Sequence, residues 1–248
     1  MNVLLIVAAG KSSRFGGFPK AFCQIGRKTN VENTAFLARK YFDSVFLGVN
    51  EATYEIYGKT VPDVLMFPIK AGQGDAHSLL KCLKHIKTET PDIKEVTVCW
   101  GDAFFVDDSP FRETLEGCKK TNQPIIVSCA IDPRPYAWFD TNSKGEILRS
   151  HFSRNEPSPL KGLHDQSLFT MNVDFAITEL EKYRQFLAIP EENKENYVEN
   201  DEMKLLNFFT FLSDSDTQKA YSIQVTPKKV LSFNSKEELQ SIINNRMI

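Results

Sequence analysis

Several features are scarce in this sequence, and each scarcity excludes a class of protein. Five cysteines among 248 residues form no CxxC pair, which argues against a disulfide framework or a zinc ribbon and favours free thiols in a reducing, cytoplasmic compartment. Lys plus Arg number 30 against 32 Asp plus Glu, so the chain lacks the basic excess that binding along nucleic acid requires. No apolar run reaches the roughly 18 residues of a membrane-spanning helix, and we expect no membrane contact.

What remains is the composition of an ordinary globular domain. Apolar residues make up 42% and charged residues 25% of the chain, close to the average for globular proteins. A chain of this length buries roughly 70–75% of its unfolded surface, so it needs no disulfide or metal to fold. We predict a single domain over residues 1–248.

Alternating strand and helix patterns predict an α/β fold. Residues 3–9 form an unbroken apolar run that ends at Gly10, which is typical of a central parallel strand buried on both faces. Helices are predicted from Asn30, interpreted as an N-cap, and after the Gly-rich turn at residues 71–75. Further strands are predicted over residues 45–49, 64–67, 95–100 and 125–130. This alternation predicts a Rossmann-like, mixed and mostly parallel sheet flanked by helices.

The second half of the chain is less regular. Residues 132–170 show little periodicity and residues 190–204 are polar, so we predict a lid over one edge of the sheet within residues 132–204. Strands are predicted over residues 171–177 and 230–233, and an amphipathic helix over residues 236–246.

The loop after the first strand concentrates groups that bind phosphate. Residues 10–20 hold three glycines and the cations Lys11, Arg14 and Lys20, and the backbone N–H groups of residues 10–13 can point at anionic oxygens. Leu5 stands where a P-loop needs its first glycine, and GxGxxG is absent. The alternative is a solvated loop that is basic by chance. The position of the loop at the carboxyl end of a strand favours a ligand site.

The same loop resembles that of a known enzyme superfamily. AAGKSSRFGGFPKAFCQIG (residues 8–26) is similar to the signature loop of the sugar-1-phosphate nucleotidyltransferases, which include MobA-like and cytidylyltransferase branches, with Ser12 where glycine is usual. Shorter matches follow in the same order: GQGDAHSLL (72–80), WGDAFF (100–105), DPRPYAWF (132–139), Met171-Asn172 and FNSKEEL (233–239). The resemblance implies the nucleotide-diphospho-sugar transferase fold and the transfer of a nucleotide from an NTP.

The resemblance also implies a role for each site residue. Lys11 and Arg14 would hold the β- and γ-phosphates, and Lys20 would contact the α-phosphate and the incoming phosphate. Asp102 and Asn234 would hold Mg²⁺, with Glu238 as a rival to Asn234. The nucleotide would lie against Ala8, Ala9, Gly10, Ser12, Ser13, Gln73, Gly74 and Asp75.

The metal role of Asp102 also has support in its own chemistry. An aspartate directly after a buried strand offers carboxylate oxygen to a hard cation, although a helix-capping or turn aspartate is the ordinary alternative. The resemblance gives no histidine a catalytic role. His77 is most simply a helix-start or pocket-wall residue, and no Ser-His-Asp order or zinc spacing is present.

The predicted reaction joins an NTP to a small phosphorylated metabolite and releases pyrophosphate. The resemblance favours CTP, a capsule-polysaccharide pathway and L-glutamine phosphate as the acceptor. A sugar 1-phosphate or phosphocholine acceptor, transfer to molybdopterin, and a non-catalytic nucleotide-binding regulator stay open. A zwitterionic acceptor needs charges of both signs. We therefore expect a pocket-facing residue from each of two sets: Arg134, Arg149 and Arg154, and Glu199, Asp201 and Glu202.

Overall fold

A mixed sheet with helices on both faces forms most of the protein. The structure is a computed structural model that describes residues 1–10, 12, 15–58, 60–70, 72–191, 202–215 and 218–246. The strands are β1 (Val3–Ala8), β2 (Gln24–Ile25), β3 (Lys28–Thr29), β4 (Ser44–Asn50), β5 (Leu65–Ile69), β6 (Glu95–Trp100), β7 (Ala103–Phe105), β8 (Ile125–Pro133), β9 (Ala137–Thr141), β10 (Ile147–Phe152), β11 (Lys161–Asn172), β12 (Tyr221–Gln224) and β13 (Val230–Ser232). The helices are α1 (Asn30–Ala38), α2 (Glu51–Tyr57), α3 (Asp75–Glu89), α4 (Ser109–Cys118), α5 (Val173–Phe186), α6 (Leu205–Asp214) and α7 (Lys236–Arg246). None of the helices in the described ranges is long and apolar enough to cross a lipid bilayer.

The main sheet has a parallel half and an antiparallel half. β5, β4, β1 and β6 pair side by side in parallel. β11 pairs antiparallel with β6, β8 and β9, and β10 pairs antiparallel with β9. β12 extends this half by pairing parallel with β8. Two further pairs, β2–β3 and β7–β13, form small sheets of their own. The predicted α/β fold with a mixed sheet flanked by helices is confirmed.

Alternation along β1 explains why both faces carry helices. Val3, Leu5 and Val7 belong to an apolar cluster that includes α3, α5 and α6, whereas Leu4 and Ile6 belong to a second cluster with α1 and α4. All five side chains are buried. A strand covered on both faces has no polar side to show, and its sequence is therefore a continuous apolar run.

One predicted strand is wrong over most of its length. Residues 171–177 continue β11 only as far as Asn172, whose side chain accepts a hydrogen bond from the Phe175 N–H and caps α5. Val173 and Leu180, two helical turns apart, are both buried, so the apolar residues here follow the period of a helix. The N-cap ends the strand before its apolar run ends.

The N-cap of α1 also differs from the prediction. Thr29, not Asn30, caps the helix: its hydroxyl accepts from the Glu32 N–H while the Glu32 carboxylate accepts from the Thr29 N–H. This reciprocal capping box satisfies two backbone donors. It leaves the Asn30 side chain available for another contact.

Residues 132–170 extend the sheet instead of forming an irregular segment. β9, β10 and most of β11 lie in this range. β11 is exposed or half-buried at its start and buried from Gln166 to Met171, since its neighbours change along its length. A single alternation therefore does not run through the sequence. The role of this region as an acceptor lid stays a prediction, and residues 192–201 lie outside the described chain.

Candidate active site

A cavity of about 450 Å³ opens at the carboxyl ends of β1 and β6. These two strands are parallel neighbours, so the loops that follow them meet at one place, which is where ligands bind in open α/β sheets. The cavity is lined by Val7, Ala8, Ala9, Gly10, Ser12, Lys20, Ala21, Gly72, Gly74, Asp75, Ser78, Trp100, Gly101, Asp102, Glu202 and Asn234.

Lys20 lies between two oxygen groups in the cavity wall. Its Nζ is 2.9 Å from Asp102 Oδ2 and 2.9 Å from Asn234 Oδ1. Pro19 approaches in an extended conformation, and Lys20 begins a short 3₁₀ helix that directs its side chain to this point. The Lys20 side chain is 15% exposed, so it is held by protein yet open to the cavity. A cation in this position can meet a substrate phosphate.

The small β7–β13 sheet brings Asn234 to Asp102. Ser232 lies opposite Ala103 in antiparallel register, and the Phe233 N–H donates to the Asp102 carbonyl at 3.4 Å. Because Asp102 directly precedes β7 and Asn234 lies two residues after β13, the register of this strand pair sets the distance between their side chains. Residues far apart in sequence therefore form one polar cluster.

The oxygens of this cluster fit a hard divalent cation. Asp102 and Asn234 converge on the ammonium of Lys20, which shows that both oxygens face one cationic position. Carboxylate and amide oxygens are ligands that Mg²⁺ accepts, with phosphates and water completing its coordination. Glu238 instead accepts hydrogen bonds from the backbone N–H groups of Asn234 and Ser235. Among the described residues no group of three or more His, Cys, Asp or Glu side chains forms a metal site, so substrate oxygens would have to supply the remaining ligands.

A Gly-rich turn forms the opposite wall. Gly74 has φ +102°, and a Cβ there would lie 2.4 Å from the Met203 carbonyl oxygen, so this position requires glycine. The Met203 N–H donates to the Gln73 carbonyl, and the Met203 carbonyl accepts from the Ala76 N–H. The segment at residues 202–205 is thus fastened to the start of α3.

Asp75 presents a carboxylate to the cavity. Its Oδ1 accepts hydrogen bonds from the N–H groups of Ala76 and Leu205 at 2.7 and 2.8 Å. Solvent reaches the residue through the cavity, but the dense protein around it desolvates the carboxylate and raises its pKa to about 6, against the opposing effect of the two N–H donors. Glu202 lines the same cavity.

His77 lies beneath this turn and is not a catalytic candidate. It is 1% exposed, and its Nδ1 accepts a hydrogen bond from the Gln73 N–H at 3.2 Å. Burial, and then the charges of Lys81 and Arg184, lower its pKa to about 4. The neutral ring therefore holds the turn in place, which agrees with its interpretation as a helix-start residue.

The backbone conformation at Ser12 explains why glycine is usual at this position. Its φ of +47° lies in the left-handed region, which glycine adopts at less cost. The Ser12 carbonyl accepts from the N–H groups of Phe15 and Gly17, so the turn is well bonded despite the serine. The predicted phosphate ligands Lys11, Ser13 and Arg14 lie outside the described residues.

Most of the predicted site residues come together in the cavity. Those that line it are Ala8, Ala9, Gly10, Ser12, Lys20, Gly74, Asp75, Asp102 and Asn234. Gln73 is buried at 4% exposure and does not line it. Trp100 and Ser78 also line the cavity and were not predicted. Both lie within motifs that carry the resemblance, at residues 100–105 and 72–80, and these motifs were the available signal.

Of the two charged residues expected to face the pocket, only an acidic one lines it among the described residues. Glu202 lines the cavity, whereas Arg134, Arg149 and Arg154 do not, and the Arg154 guanidinium instead lies 5.1 Å from the centroid of the Phe152 ring. Arg149 on β10 and Arg154 just after it lie on the far side of β9 from the cavity strands, and Arg134 lies in the turn between β8 and β9. Strand order sets these positions, and the sequence does not show it. The other acidic candidates, Glu199 and Asp201, lie outside the described residues.

Comparison with known proteins identifies a matching family. Residues 4–171, more than half of the chain, match the family model described as "MobA-like NTP transferase domain". No curated protein sequence matches significantly.

Solved structures match along almost the whole chain at low identity. The nucleoside-diphosphate-sugar pyrophosphorylase from Vibrio cholerae RC9 has 16% identity and a TM-score of 0.69, covering 98% of this chain and 100% of that one. The inositol-1-phosphate CTP transferase from T. maritima has 14% identity and a TM-score of 0.66, covering 98% and 95%. A putative glucose-1-phosphate thymidylyltransferase from Bacillus anthracis, solved with sucrose, has 12% identity and a TM-score of 0.68, covering 99% and 95%. These likenesses establish a shared fold.

Proposed function

We propose that this chain, which belongs to the MobA-like NTP transferase family and is a nucleotidyltransferase, joins CTP to a small phosphorylated acceptor and releases pyrophosphate. The observation that carries the proposal is the cluster of Lys20, Asp102 and Asn234 at the cavity wall. It supports the proposal because one cation and two oxygens that can bind a metal line the same cavity, and the phosphates of a nucleotide need partners of both kinds.

The reaction is an in-line displacement. A phosphate oxygen of the acceptor attacks the α-phosphorus, the bond to the bridging oxygen of the β-phosphate breaks, and pyrophosphate leaves with the electron pair. The attacking oxygen needs no general base because the second pKa of a phosphate monoester is about 6. Catalysis then depends on positioning and charge neutralisation.

The chain's own residues divide this work. Lys20 neutralises charge at the α-phosphate and the incoming phosphate, and Lys11 and Arg14 hold the leaving phosphates. Asp102 and Asn234 would hold Mg²⁺, which would supply Lewis-acid neutralisation of phosphate charge. The backbone of residues 8–10 and of Gly74 bounds the nucleoside.

Asp75 supports cytosine as the base. Two backbone donors use its Oδ1, and no donor among the described residues reaches Oδ2. A carboxylate oxygen accepts a hydrogen bond from the C4 amino group of cytosine, and it repels the C4 carbonyl of uracil or thymine. We therefore expect Asp75→Asn to lower the preference for CTP over UTP by about tenfold, the effect of roughly one hydrogen bond.

Glu202 and Trp100 support an acceptor that carries an ammonium group. Both residues line the cavity, and a carboxylate and an indole ring are each partners for a cation. L-glutamine phosphate and phosphocholine both carry such a group, whereas a sugar 1-phosphate needs mainly hydroxyl partners. L-glutamine phosphate also needs a cation for its carboxylate, whereas phosphocholine does not, so the two acceptors make different demands on the site.

A pyrophosphate-release screen tests the proposal. Four NTPs are combined with L-glutamine phosphate, phosphocholine and a panel of sugar 1-phosphates in the presence of Mg²⁺, with Lys20→Ala as the control. We expect CTP with an ammonium-bearing acceptor to give the highest kcat/KM. If a sugar 1-phosphate were the best acceptor, the proposed acceptor class would be wrong, but the proposed nucleotidyl transfer would stand. NTP binding without turnover for any acceptor, molybdopterin included, would favour the regulator.

A further inference from the structure

Asn30 is buried at the start of α1 and contacts the turn that carries Asp102. The residue is 1% exposed, and its Nδ2 donates to the Gly101 carbonyl and to the Ala103 carbonyl, both at 3.0 Å. Carbonyl oxygens only accept hydrogen bonds, so these two contacts fix which end of the amide faces the turn. The side chain therefore bridges the carbonyl groups of the two residues on either side of Asp102.

The backbone holds the same turn from two other directions. The Gly101 N–H donates to the Val7 carbonyl of β1 at 2.9 Å, and the Asp102 carbonyl accepts from the Phe233 N–H at 3.4 Å. A Cβ at Gly101 would lie 2.5 Å from the Ala8 Cβ, so the turn is packed closely against the end of β1. Asn30 closes the third side, where it binds the carbonyls of Gly101 and Ala103.

Within the described part of the chain, the amide oxygen of Asn30 makes no hydrogen bond that would account for this residue. Its Oδ1 is buried and has no hydrogen-bond partner among the described residues. A buried acceptor without a partner lowers stability, and an apolar side chain would avoid that loss. Since Thr29 already caps α1, the helix does not need Asn30 for capping either. What Asn30 supplies is the geometry of the turn.

We propose that Asn30 is a positioning residue that fixes the direction of the Asp102 carboxylate toward Lys20 and the metal–phosphate position. The proposal rests on the nucleotidyltransferase function proposed above. The Asp102 side chain is 30% exposed, so packing alone leaves it free to rotate, and its direction depends on the backbone of residues 101–103. Without the two hydrogen bonds from Asn30, that backbone relaxes and the carboxylate spreads over several directions.

Asn33 provides a matched control. It lies one helical turn further along α1, is half-buried, and donates from its Nδ2 to the Phe105 carbonyl at 3.0 Å. It thus makes the same kind of contact between the same helix and the same segment. Its contact, however, lies three residues beyond Asp102. Asn33→Ala removes a helix–strand hydrogen bond without touching the turn.

The first readout needs no substrate or metal. Lys20 in the metal-free protein is labelled with a limiting amount of an amine-acylating reagent and quantified by peptide mass spectrometry. In Asn30→Ala the ion pair to Asp102 is less well held, and we expect labelling of Lys20 to rise at least about threefold, the effect of weakening one partly exposed ion pair. In Asn33→Ala we expect the wild-type rate. Equal labelling in the two variants would overturn the proposal.

The second readout is the Mg²⁺ concentration for half-maximal turnover at saturating NTP. We expect Asn30→Ala to raise it by about 10–100-fold, as loss of a residue that orients a metal ligand does, while Asn33→Ala stays near wild type and both variants melt at similar temperatures. If Asn30→Ala does not fold, Asn30→Ser, which cannot reach both carbonyls, replaces it. If Asn30→Ala is fully active and its Mg²⁺ concentration for half-maximal turnover is unchanged, the positioning role is wrong and the proposed function stands. If the wild-type protein is inactive, the proposed function itself is wrong.

Discussion

At the scale of the residue, one lysine determines much of the chemistry of the site. Lys20 pairs with Asp102 and Asn234 at equal distances in a position open to the cavity. In the absence of substrate its charge is balanced by a carboxylate, and a bound phosphate offers more negative charge at the same place. The lysine therefore has partners before and after binding, which keeps its side chain ordered.

Replacement of Lys20 tests its role directly. We expect Lys20→Ala to lower kcat by about 10²–10³-fold, the usual effect of losing one partner of transition-state charge. The melting temperature should change little, since the residue lies in a short turn. Steady-state kinetics and a thermal melt measure both. Lys28→Ala, which removes a lysine that lies over the Phe36 ring, is the control, and near-normal turnover of Lys20→Ala would contradict the role.

Replacement of Asp102 separates metal binding from nucleotide binding. Asp102→Asn removes a negative ligand that a hard cation prefers, so we expect Mg²⁺-dependent turnover to be lost. NTP binding should weaken only modestly, because Lys20 and the basic loop still meet the phosphates. Turnover across a Mg²⁺ titration and NTP binding by calorimetry measure the two effects. Unchanged turnover throughout the titration would refute the metal assignment.

At the scale of the element, the turn before α3 is held from both sides. Residues 202–205 bond to its outer side through Met203, and His77 bonds to it from inside the core. The wall that carries Asp75 is thus a composite of two chain segments. Its shape depends on a histidine that must stay neutral.

The pH dependence of stability should report this histidine. The pKa of His77 is about 4 in the folded protein and about 6.5 in the unfolded chain. Protonation therefore favours unfolding, and the contribution of His77 is full above pH 6.5 and is lost as pH falls toward 4. Asn retains an acceptor for the Gln73 N–H, so we expect His77→Asn to lose about 2–3 kcal/mol less between pH 7 and pH 4 than wild type does. Urea unfolding at several pH values measures this.

His151 is the internal control because folding shifts its pKa in the opposite direction. Its Nδ1 and Nε2 lie 2.6 and 2.9 Å from Glu156 and Asp140 carboxylate oxygens. Burial lowers the pKa of this ring, but the two carboxylates outweigh that effect and raise it above its usual value. Its contribution is present below the unfolded pKa and is lost as pH rises through the folded one. If His77→Asn and His151→Asn change the profile in the same direction, the argument from burial is wrong.

At the scale of the whole molecule, stability comes from two apolar layers on either side of one sheet. The layer around α3 includes Leu79, Leu80, Leu83 and Ile86, all at most 1% exposed. The polar site lies at the strand ends and is held in place by hydrogen bonds from both layers. Loss of core volume should therefore lower the free energy of unfolding and leave turnover by the folded protein nearly unchanged.

Truncation of a core side chain tests this separation. We expect Leu83→Ala to lower the free energy of unfolding by about 2–5 kcal/mol, as expected for a leucine removed from a fully packed interior. Turnover per folded molecule should stay near wild type at a temperature well below the melt. Denaturant unfolding and kcat measure the two. A large fall in kcat with unchanged stability would mean that α3 affects the site in ways beyond packing.

The sequence by itself determined the α/β class, the central strand and the helix after the Gly-rich turn, and the family resemblance of its motifs named most of the residues that line the cavity. These features are local: an apolar run, a helical period, and glycines with cations at a strand end can each be recognised within a few residues. The chain end at residues 230–246 was likewise predicted nearly to its bounds, because strand and helix periods there do not overlap.

Only the tertiary structure decided the rest. Lys20, Asp102 and Asn234 meet because β13 pairs with β7 in one register, and register between distant segments leaves no local trace. Asn30 does not cap α1, because Thr29 and Glu32 satisfy the helix start, and its side chain instead donates to the carbonyls of Gly101 and Ala103. The strand at residues 171–172 passes into a helix because an N-cap acts within one residue, whereas apolar patterns need several. The arginines of residues 134–154 lie away from the cavity because the antiparallel half of the sheet carries them to its far side, and strand order is a property of the assembled sheet.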